Sequence, residues 1–547
     1  MLVTFFTVPA IPPAAIAQVP VAPLDFERFL NYQEPEGCTS IMVGSLASAD
    51  GSVMTAHSCD GNYRTWLRIE PARTNPPGSM KEIVWGTLHT ETPWDSRGIR
   101  VKGEIPEVPT TYAYMNVAYP CMNEKQLAIG ETTIGGRRLL INSDGLFLIE
   151  ELQKIVLERC TTARESIQLI GELVKEYGYG DNGECLTFAD PKEVWHFEIM
   201  GAGPLELGAV WAAVRIPDDH VGVSANIPRI SQLDLDNSDY YMASDNVHTL
   251  AEEMGWWDSS SGKPFKFWEA YSGNRPFSTR ELFILRTMAP DLNLNMDMEE
   301  LPFSVKPNRK IDVREVLAYY RQTYEGTDID VTRNLLVPQS SRGRRGGDTG
   351  NAQPAMVKSA YANPWMSSEQ MRLFNALEAD VTGSQRQIAI ARCSYSQILQ
   401  CRSWLPDAIG GVAWFSFDNP GQSPRIPIFA GVLELPKSFE MCAQRRFTAD
   451  SACWSFRRAN KLAMIKWGAT RQYMEEAIAE FEDRAFTELP LIEQKALEIY
   501  QSDDSDGESI KYREFLTKYT NDFAHAAMVK WWELGDFYWT LFARGFN

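Results

Sequence analysis

Gly37-Cys38-Thr39-Ser40-Ile41-Met42-Val43-Gly44 opens an apolar, strand-like run at a cysteine, directly after the polar leader Gln33-Glu34-Pro35-Glu36. The run continues through Ala47-Ser48-Ala49-Asp50-Gly51-Ser52 to His57-Ser58-Cys59-Asp60. Its pattern predicts strand, turn at Asp50-Gly51-Ser52, and strand over residues 38–70. If the Gly37–Cys38 bond is cut, Cys38 becomes the first residue and its thiol lies beside a free α-amine. Such an amine has a pKa of about 7.7–8.0, close enough to neutrality to take the thiol proton. The thiolate is the reactive form, and a free Cys is mostly thiol at neutral pH. Nucleophile and base would then belong to one residue. On local sequence alone, a buried strand cysteine or half of a disulfide is the simpler reading of Cys38.

The rest of the composition narrows the class. The chain has 547 residues, 44% hydrophobic, which is ample for a large core. Its formal net charge of −19 argues against nucleic acid or an anionic membrane as partner. The six His (57, 89, 196, 220, 248 and 525) include no His-x-x-x-His spacing, and no Cys-x-x-Cys occurs. No zinc site built from sequence-local ligands is therefore expected. The nine Cys are one candidate nucleophile plus an even eight. Local disulfides (Cys442/Cys453, Cys393/Cys401) and reduced buried thiols both stay open.

Leu2 to Val19 is apolar and uncharged, and Ala15-Ile16-Ala17 followed by Gln18 has the form of an export cleavage site. No Lys or Arg precedes Arg28, so the positive n-region of such a signal is missing. The expectation is an exported protein with a signal peptide at 1–17 and a propeptide at 18–37. No other stretch is long and apolar enough to span a bilayer.

Further along, Tyr112 to Ile129 reads as two strands around Pro120, and Asp144 to Tyr177 as helical. Leu186 to Val223 alternates like a strand meander, and Arg386 to Ala413 returns to sheet-like sequence. From about residue 460 the chain is helical and amphipathic. Ser340 to Gly347 is a basic loop, read as solvated. Ser502 to Gly507 is an Asp-rich run without full EF-hand spacing, read as a helix-linking turn. Strands at both ends with helices between suit an α+β fold with layered sheets.

Cys38-Thr39-Ser40-Ile41-x-Val43-Gly44, then Ala47-Ser48-x-Asp50-Gly51-Ser52 and Asp60, resembles the mature start of the PepD-type (dipeptidase A) cysteine dipeptidases. These are N-terminal-nucleophile hydrolases related to the secernins. Further matches follow in order: Met122-Asn123-Glu124, Phe188-Ala189-Asp190-Pro191, Trp211 to Asp219, Ser224-Ala225-Asn226, Tyr324-Glu325-Gly326-Thr327 and Gly410-Gly411-Val412-Ala413-Trp414. Each is weak alone, and their order over roughly residues 38–435 is more specific. The resemblance implies a four-layer αββα sandwich over residues 38–460 with a helical C-terminal extension at 461–547. It implies a cysteine-type dipeptidase acting on small peptides, with no cofactor or metal. An N-acyl amide hydrolase of the bile-salt hydrolase or penicillin acylase type, and a non-catalytic secernin-like protein, remain alternatives. A homo-oligomer stays open.

The implied mechanism has two acts. Cys38 first attacks the Gly37 carbonyl and releases the propeptide, helped by the absence of a side chain on Gly37. It then forms a thioester acyl-enzyme with a peptide substrate. Both acts need donors for an oxyanion. Asn226 is the first candidate donor and Asn123 the second. Asp60 would orient the α-amine, and Arg280 would stand near the nucleophile and lower its pKa. The plainer readings are turn residues for Asn226 and Asp60 and a surface helix charge for Arg280. Related sequences often carry Arg-Asn-x-Asp where this chain has His57-Ser58-Cys59-Asp60. His57 would be a pH-dependent substitute for that cation, with activity changing through pH about 6.5.

Overall fold

The computed structural model describes residues 37–273, 277–339, 354–502 and 510–543. The expected signal peptide, all but the last residue of the expected propeptide, the basic loop at 340–347 and most of the Asp-rich turn lie outside the described residues. Ten strands and seven helices suffice to place the site. The strands are β1 (Gly37–Val43), β2 (Val53–Asp60), β3 (Ala128–Thr133), β4 (Glu184–Ala189), β5 (Val194–Gly201), β6 (Ala209–Ile216), β7 (Val221–Ser224), β8 (Cys393–Cys401), β9 (Val412–Phe417) and β10 (Ile426–Phe429). The helices are α1 (Ile149–Arg159), α2 (Ala163–Tyr177), α3 (Thr279–Met288), α4 (Val313–Tyr320), α5 (Ala452–Met464), α6 (Trp467–Ser502) and α7 (Lys511–Phe542).

One antiparallel sheet runs β7-β1-β2-β8-β9-β10, with Ser304–Val305 outside β7. A second runs β6-β5-β4-β3 and continues through three short strands, Met122–Asn123, Tyr114–Asn116 and Arg68–Glu70. Every residue of β1 and β2 is buried. This explains the near-continuous apolar reading of the first: with both faces covered, alternation with polar residues disappears. The link between them spans residues 44–52, longer than a tight hairpin. Within it, Asp50 accepts bonds from Ser48 Oγ, Ser52 N and Ser52 Oγ at 2.8, 3.0 and 2.6 Å. Gly51 adopts the left-handed φ of 87° that the turn into β2 requires.

The two sheets meet face to face through small hydroxyls. Thr55 Oγ1 bonds Thr187 Oγ1 at 2.6 Å, and Thr132 Oγ1 bonds Ser224 Oγ at 2.7 Å. Ser40 Oγ donates to the Glu131 carbonyl at 3.2 Å. Gly130 sits in this seam, where a Cβ would lie 2.5 Å from Thr187 Oγ1 and 3.0 Å from the Ala56 carbonyl oxygen. Helix α2 packs on the second sheet, with Gly171 against the Trp211 ring. A capping box between Thr162 and Glu165 starts α2, and Ile167, Ile170, Leu173 and Val174 form its buried face. On the first sheet, Phe486 of α6 stacks on Trp414 of β9 at 4.5 Å. Thr520 of α7 bonds the Pro427 carbonyl of β10. The chain is thus a mixed α/β protein with antiparallel sheets and a helical C-terminus.

All nine cysteines are buried free thiols, which corrects the local-disulfide alternative. Cys393 and Cys401 stand at opposite ends of β8, some 26 Å apart at strand rise, so that pair cannot close.

The Gly130 contact generates a stability prediction. Gly130→Ala forces its methyl against a threonine held by a cross-sheet bond and against backbone, so it should cost about 1–3 kcal/mol. Urea unfolding reads this as a lowered midpoint with unchanged slope.

Candidate active site

Cys38 is the second residue of β1 and is 1% exposed. The register pairs Gly37 with Asp60, Cys38 with Cys59 and Ser40 with His57. Directly opposed residues share a face, and faces alternate along a strand. Cys38, Cys59, Ser40 and His57 therefore share one face of the sheet, and Asp60 falls on the other.

The backbone of Cys38 is held from two sides. Its N–H donates to Asn226 Oδ1 at 2.8 Å, and its carbonyl accepts from Arg280 Nη1 at 2.5 Å. Asn226 follows β7 and takes a left-handed φ of 62°, which asparagine tolerates better than most residues. Its Nδ2 donates to the Thr133 carbonyl at 2.8 Å. Asn226 therefore turns its side-chain oxygen to the Cys38 nitrogen, while its amide N–H holds β3, so it does not present the oxyanion donor expected of it. Arg280 lies in the first turn of α3, whose capping box pairs Ser278 with Glu281. Arg280 Nη2 donates to Ala225 O and Asn226 Oδ1 at 2.8 and 2.9 Å, and Glu281 Oε1 accepts from Ala225 N at 2.9 Å. One helix terminus thus locks the Ala225–Asn226 corner. Burial lowers the Arg280 pKa to about 10, so it stays cationic at neutral pH. It bonds the Cys38 carbonyl, not the thiol. Burial pushes the thiol pKa up, the reverse of the lowering expected from Arg280.

Asp60 Oδ2 pairs with Arg386 Nη2 at 2.8 Å and accepts from Ser58 Oγ at 3.2 Å. Its Oδ1 is buried without a hydrogen-bond partner. Arg386 also abuts Gly37: a Cβ there would meet Arg386 Nη2 at 2.8 Å and Asn226 Oδ1 at 3.1 Å. Asn123 is committed elsewhere. Its Nδ2 donates to the Leu157 and Cys160 carbonyls at 2.8 and 2.9 Å, and its Oδ1 accepts from Lys125 and Leu127 N–H. Both amide protons are used, so it has no donor to offer an oxyanion.

His57 departs most from expectation. It is fully buried, its Nδ1 bonds the Glu131 carbonyl at 2.5 Å, and desolvation lowers its pKa to about 4. The imidazole is neutral near pH 6.5, so it supplies neither the missing cation nor a titration there.

Three contributors went unnoticed in the sequence. Glu131 Oε2 accepts from Cys38 Sγ at 3.6 Å. Burial pushes its carboxyl up to about 7, and burial beside Glu131 pushes the Glu184 carboxyl up further. Tyr320 of α4 donates to the Thr39 carbonyl at 2.7 Å and Arg386 meets Asp60, each from far along the chain. The one available signal was Glu131 itself, a carboxylate in the short strand Ala128–Thr133. Cys38, His57 and Glu131 also bring one donor atom each within 4.8 Å, a spacing that could admit a metal ion. The His57 Nδ1 is engaged by the Glu131 backbone and the thiol by the Glu131 carboxyl, while His57 Nε2 is buried without a hydrogen-bond partner.

The profile of Peptidase family C69 matches residues 37–480. The chain belongs to this family. It is 25% identical over 456 residues to a probable dipeptidase of Latilactobacillus sakei, covering 80% of this chain and 83% of the relative. A probable dipeptidase of Salmonella dublin is 27% identical over 412 residues, 72% of this chain and 81% of the relative. Dipeptidase A of Lactobacillus helveticus is 23% identical over 437 residues, 76% and 80% of the two chains.

The His57 environment predicts acid sensitivity. Its folded pKa of about 4 lies below the usual 6.5, so the unfolded chain binds the proton first as pH falls. Stability should drop between pH 6.5 and 4, by about 3 kcal/mol at most from this group. Urea midpoints at pH 7 and pH 4.5 should fall less in His57→Gln than in the wild type. Equal falls would mean that the folded imidazole titrates with its unfolded pKa, and a smaller fall in the wild type would mean that it is charged in the fold.

Proposed function

We propose that the chain is a cysteine-type dipeptidase whose nucleophile is Cys38, exposed as the N-terminal residue by self-cleavage after Gly37. The observation that carries this reading is that the site grips the backbone nitrogen of Cys38. Asn226 Oδ1 accepts from that nitrogen at 2.8 Å. In the uncut chain the nitrogen is an amide; after cleavage it becomes the α-amine. An acceptor on one N–H would steer the amine's lone pair toward the thiol. The buried, unpartnered Asp60 Oδ1 is a further acceptor suited to an α-ammonium near it. Membership of a peptidase family and relatives named as dipeptidases support small peptides as substrates.

Turnover follows the same geometry. The Cys38 thiolate attacks the peptide carbonyl, the substrate's amine leaves with a proton, and water releases the acyl group from sulfur. Arg280 fixes the Cys38 carbonyl, and Asn226 fixes its nitrogen. On this reading the facing sheets and their outer helices form the αββα sandwich of N-terminal-nucleophile hydrolases. Residues 38–460 are the catalytic part and 461–547 the helical extension. Residues 1–17 direct export, and 18–37 are removed.

Intact mass and N-terminal sequencing of the purified chain test this directly. The wild type should begin at Cys38, and Cys38→Ala should keep the bond before residue 38. Gly37→Val should slow the cut at least tenfold, because its side chain displaces Arg386 from Asp60. Mature protein should hydrolyse dipeptides in preference to N-acyl amides. A wild-type chain that retains Gly37 yet hydrolyses dipeptides would refute the α-amine as base.

A further inference from the structure

We propose that Glu131 is the catalytic base of the maturation step, taking the Cys38 thiol proton before the α-amine exists. The inference rests on the reading above, that Cys38 cuts the bond before it. In the uncut chain the Cys38 nitrogen is a peptide amide, whose lone pair is delocalised into the carbonyl. Its N–H is already donated to Asn226. The base assigned to turnover is therefore missing from the first reaction, and some other group must accept the proton.

The contacts of the thiol single out one carboxylate. Cys38 Sγ donates to Glu131 Oε2 at 3.6 Å. Thr133 Oγ1 donates to Glu131 Oε1 at 3.3 Å, which leaves Oε2 facing the sulfur. Glu184, on the neighbouring strand, is pushed up further than Glu131 by burial and by the nearby carboxylates, so Glu131 is the one of the two that ionises first and faces the sulfur. Competing groups are less suited. Asp60 is bound to Arg386, and Arg280 is a cation on the carbonyl. His57 engages the Glu131 backbone through Nδ1, and burial makes it a much weaker base than Glu131.

The step balances as follows. The thiol proton passes to Glu131 Oε2, and the thiolate forms a C–S bond to the Gly37 carbonyl carbon. The carbonyl oxygen carries the negative charge until the C–N bond breaks. The departing Cys38 nitrogen takes the proton from Glu131 and becomes the α-amine. Water then adds to the Gly37 acyl carbon, the C–S bond breaks, and the sulfur regains a proton. Glu131 thus returns to its starting state and the α-amine is in place for turnover.

The pH dependence follows from the groups around the carboxyl: Cys38 and Cys59 across the pair β1–β2, His57, Tyr119, Tyr179, Glu184 and Asp181. Glu131 accepts a proton only when ionised, so the cut should accelerate as pH rises through about 7 and then level. The test uses full-length precursor from cell-free synthesis, with cleavage followed by intact mass over pH 5.5–8.5. Glu131→Gln should cleave about 10²-fold or more slowly than wild type, the usual loss for a positioned base. Its residual rate should lose the rise near pH 7. Activity per matured chain, normalised to the mass-determined mature fraction, should fall by a smaller factor than the cleavage rate. Far-ultraviolet circular dichroism and urea unfolding check that the variant folds. Unchanged cleavage, a retained pH profile, or equal losses in cleavage and turnover would each overturn the role. A wild-type precursor that stays uncut, or Cys38→Ala that is cut, would instead overturn the underlying self-cleavage reading.

Discussion

The register of β1 against β2 is the constraint on which the site depends. Pairing Cys38 with Cys59 and Ser40 with His57 sends the thiol and imidazole to one face, where Glu131 waits on β3. Gly37 opposite Asp60 brings the bond before Cys38 to the carboxylate that Arg386 holds. A slip of one residue would reverse every face and turn the thiol away from the second sheet. Burial of both faces of β1 and β2 makes such a slip expensive. The Gly130 seam adds a second lock, because the sheets approach through hydroxyls and a missing side chain.

The electrostatics of the site divide along the same faces. Arg280 and Arg386 gather at the backbone of residues 37 and 38, with Asp60, Glu281 and the Asn226 carbonyl as partners. Among the described residues, the thiol side holds neutral or acidic groups: His57 held neutral, Cys59, and the Glu131–Glu184 pair. The guanidinium on the Cys38 carbonyl leaves the thiol protonated at rest. A buried thiol with a raised pKa is poorly reactive until a base acts on it. The fold therefore suits a nucleophile switched on by proton transfer better than a standing thiolate.

Much of this was legible in the chain. A strand running from Gly37-Cys38, the two helices at 149–177, the meander of β4 to β7 and the terminal helices all follow from local pattern. Cys38, Asp60, Asn226 and Arg280 converge in space as their motifs suggested, since each sits at or beside an element end that local sequence marks. Asn123 misleads because its motif marks a turn: the side chain closes Lys125 and Leu127 and caps carbonyls after α1. His57 misleads because its burial is a tertiary fact, and desolvation outweighs the carboxylates nearby. Arg386 and Tyr320 were invisible, because only the closing of β8 and α4 onto β1 and β2 brings them in.

Gly37 ties the two acts of the proposed chemistry to one geometry. In the proposed chemistry its carbonyl is the first that Cys38 attacks, so any later acyl group takes the place of the Gly37 acyl. A side chain at residue 37 would meet Arg386, whose side chain is 28% exposed, and Asn226 Oδ1. Arg386 is thus a partly exposed side chain that abuts Gly37 and holds Asp60. Its charge is paired with a fully buried Asp60, and its Nη1 donates to the Gln387 carbonyl. Whatever enters must fit beside a guanidinium that cannot retreat without stranding that carboxylate. A side-chain-free residue fits there at once, which is what the proposed cleavage at this bond requires.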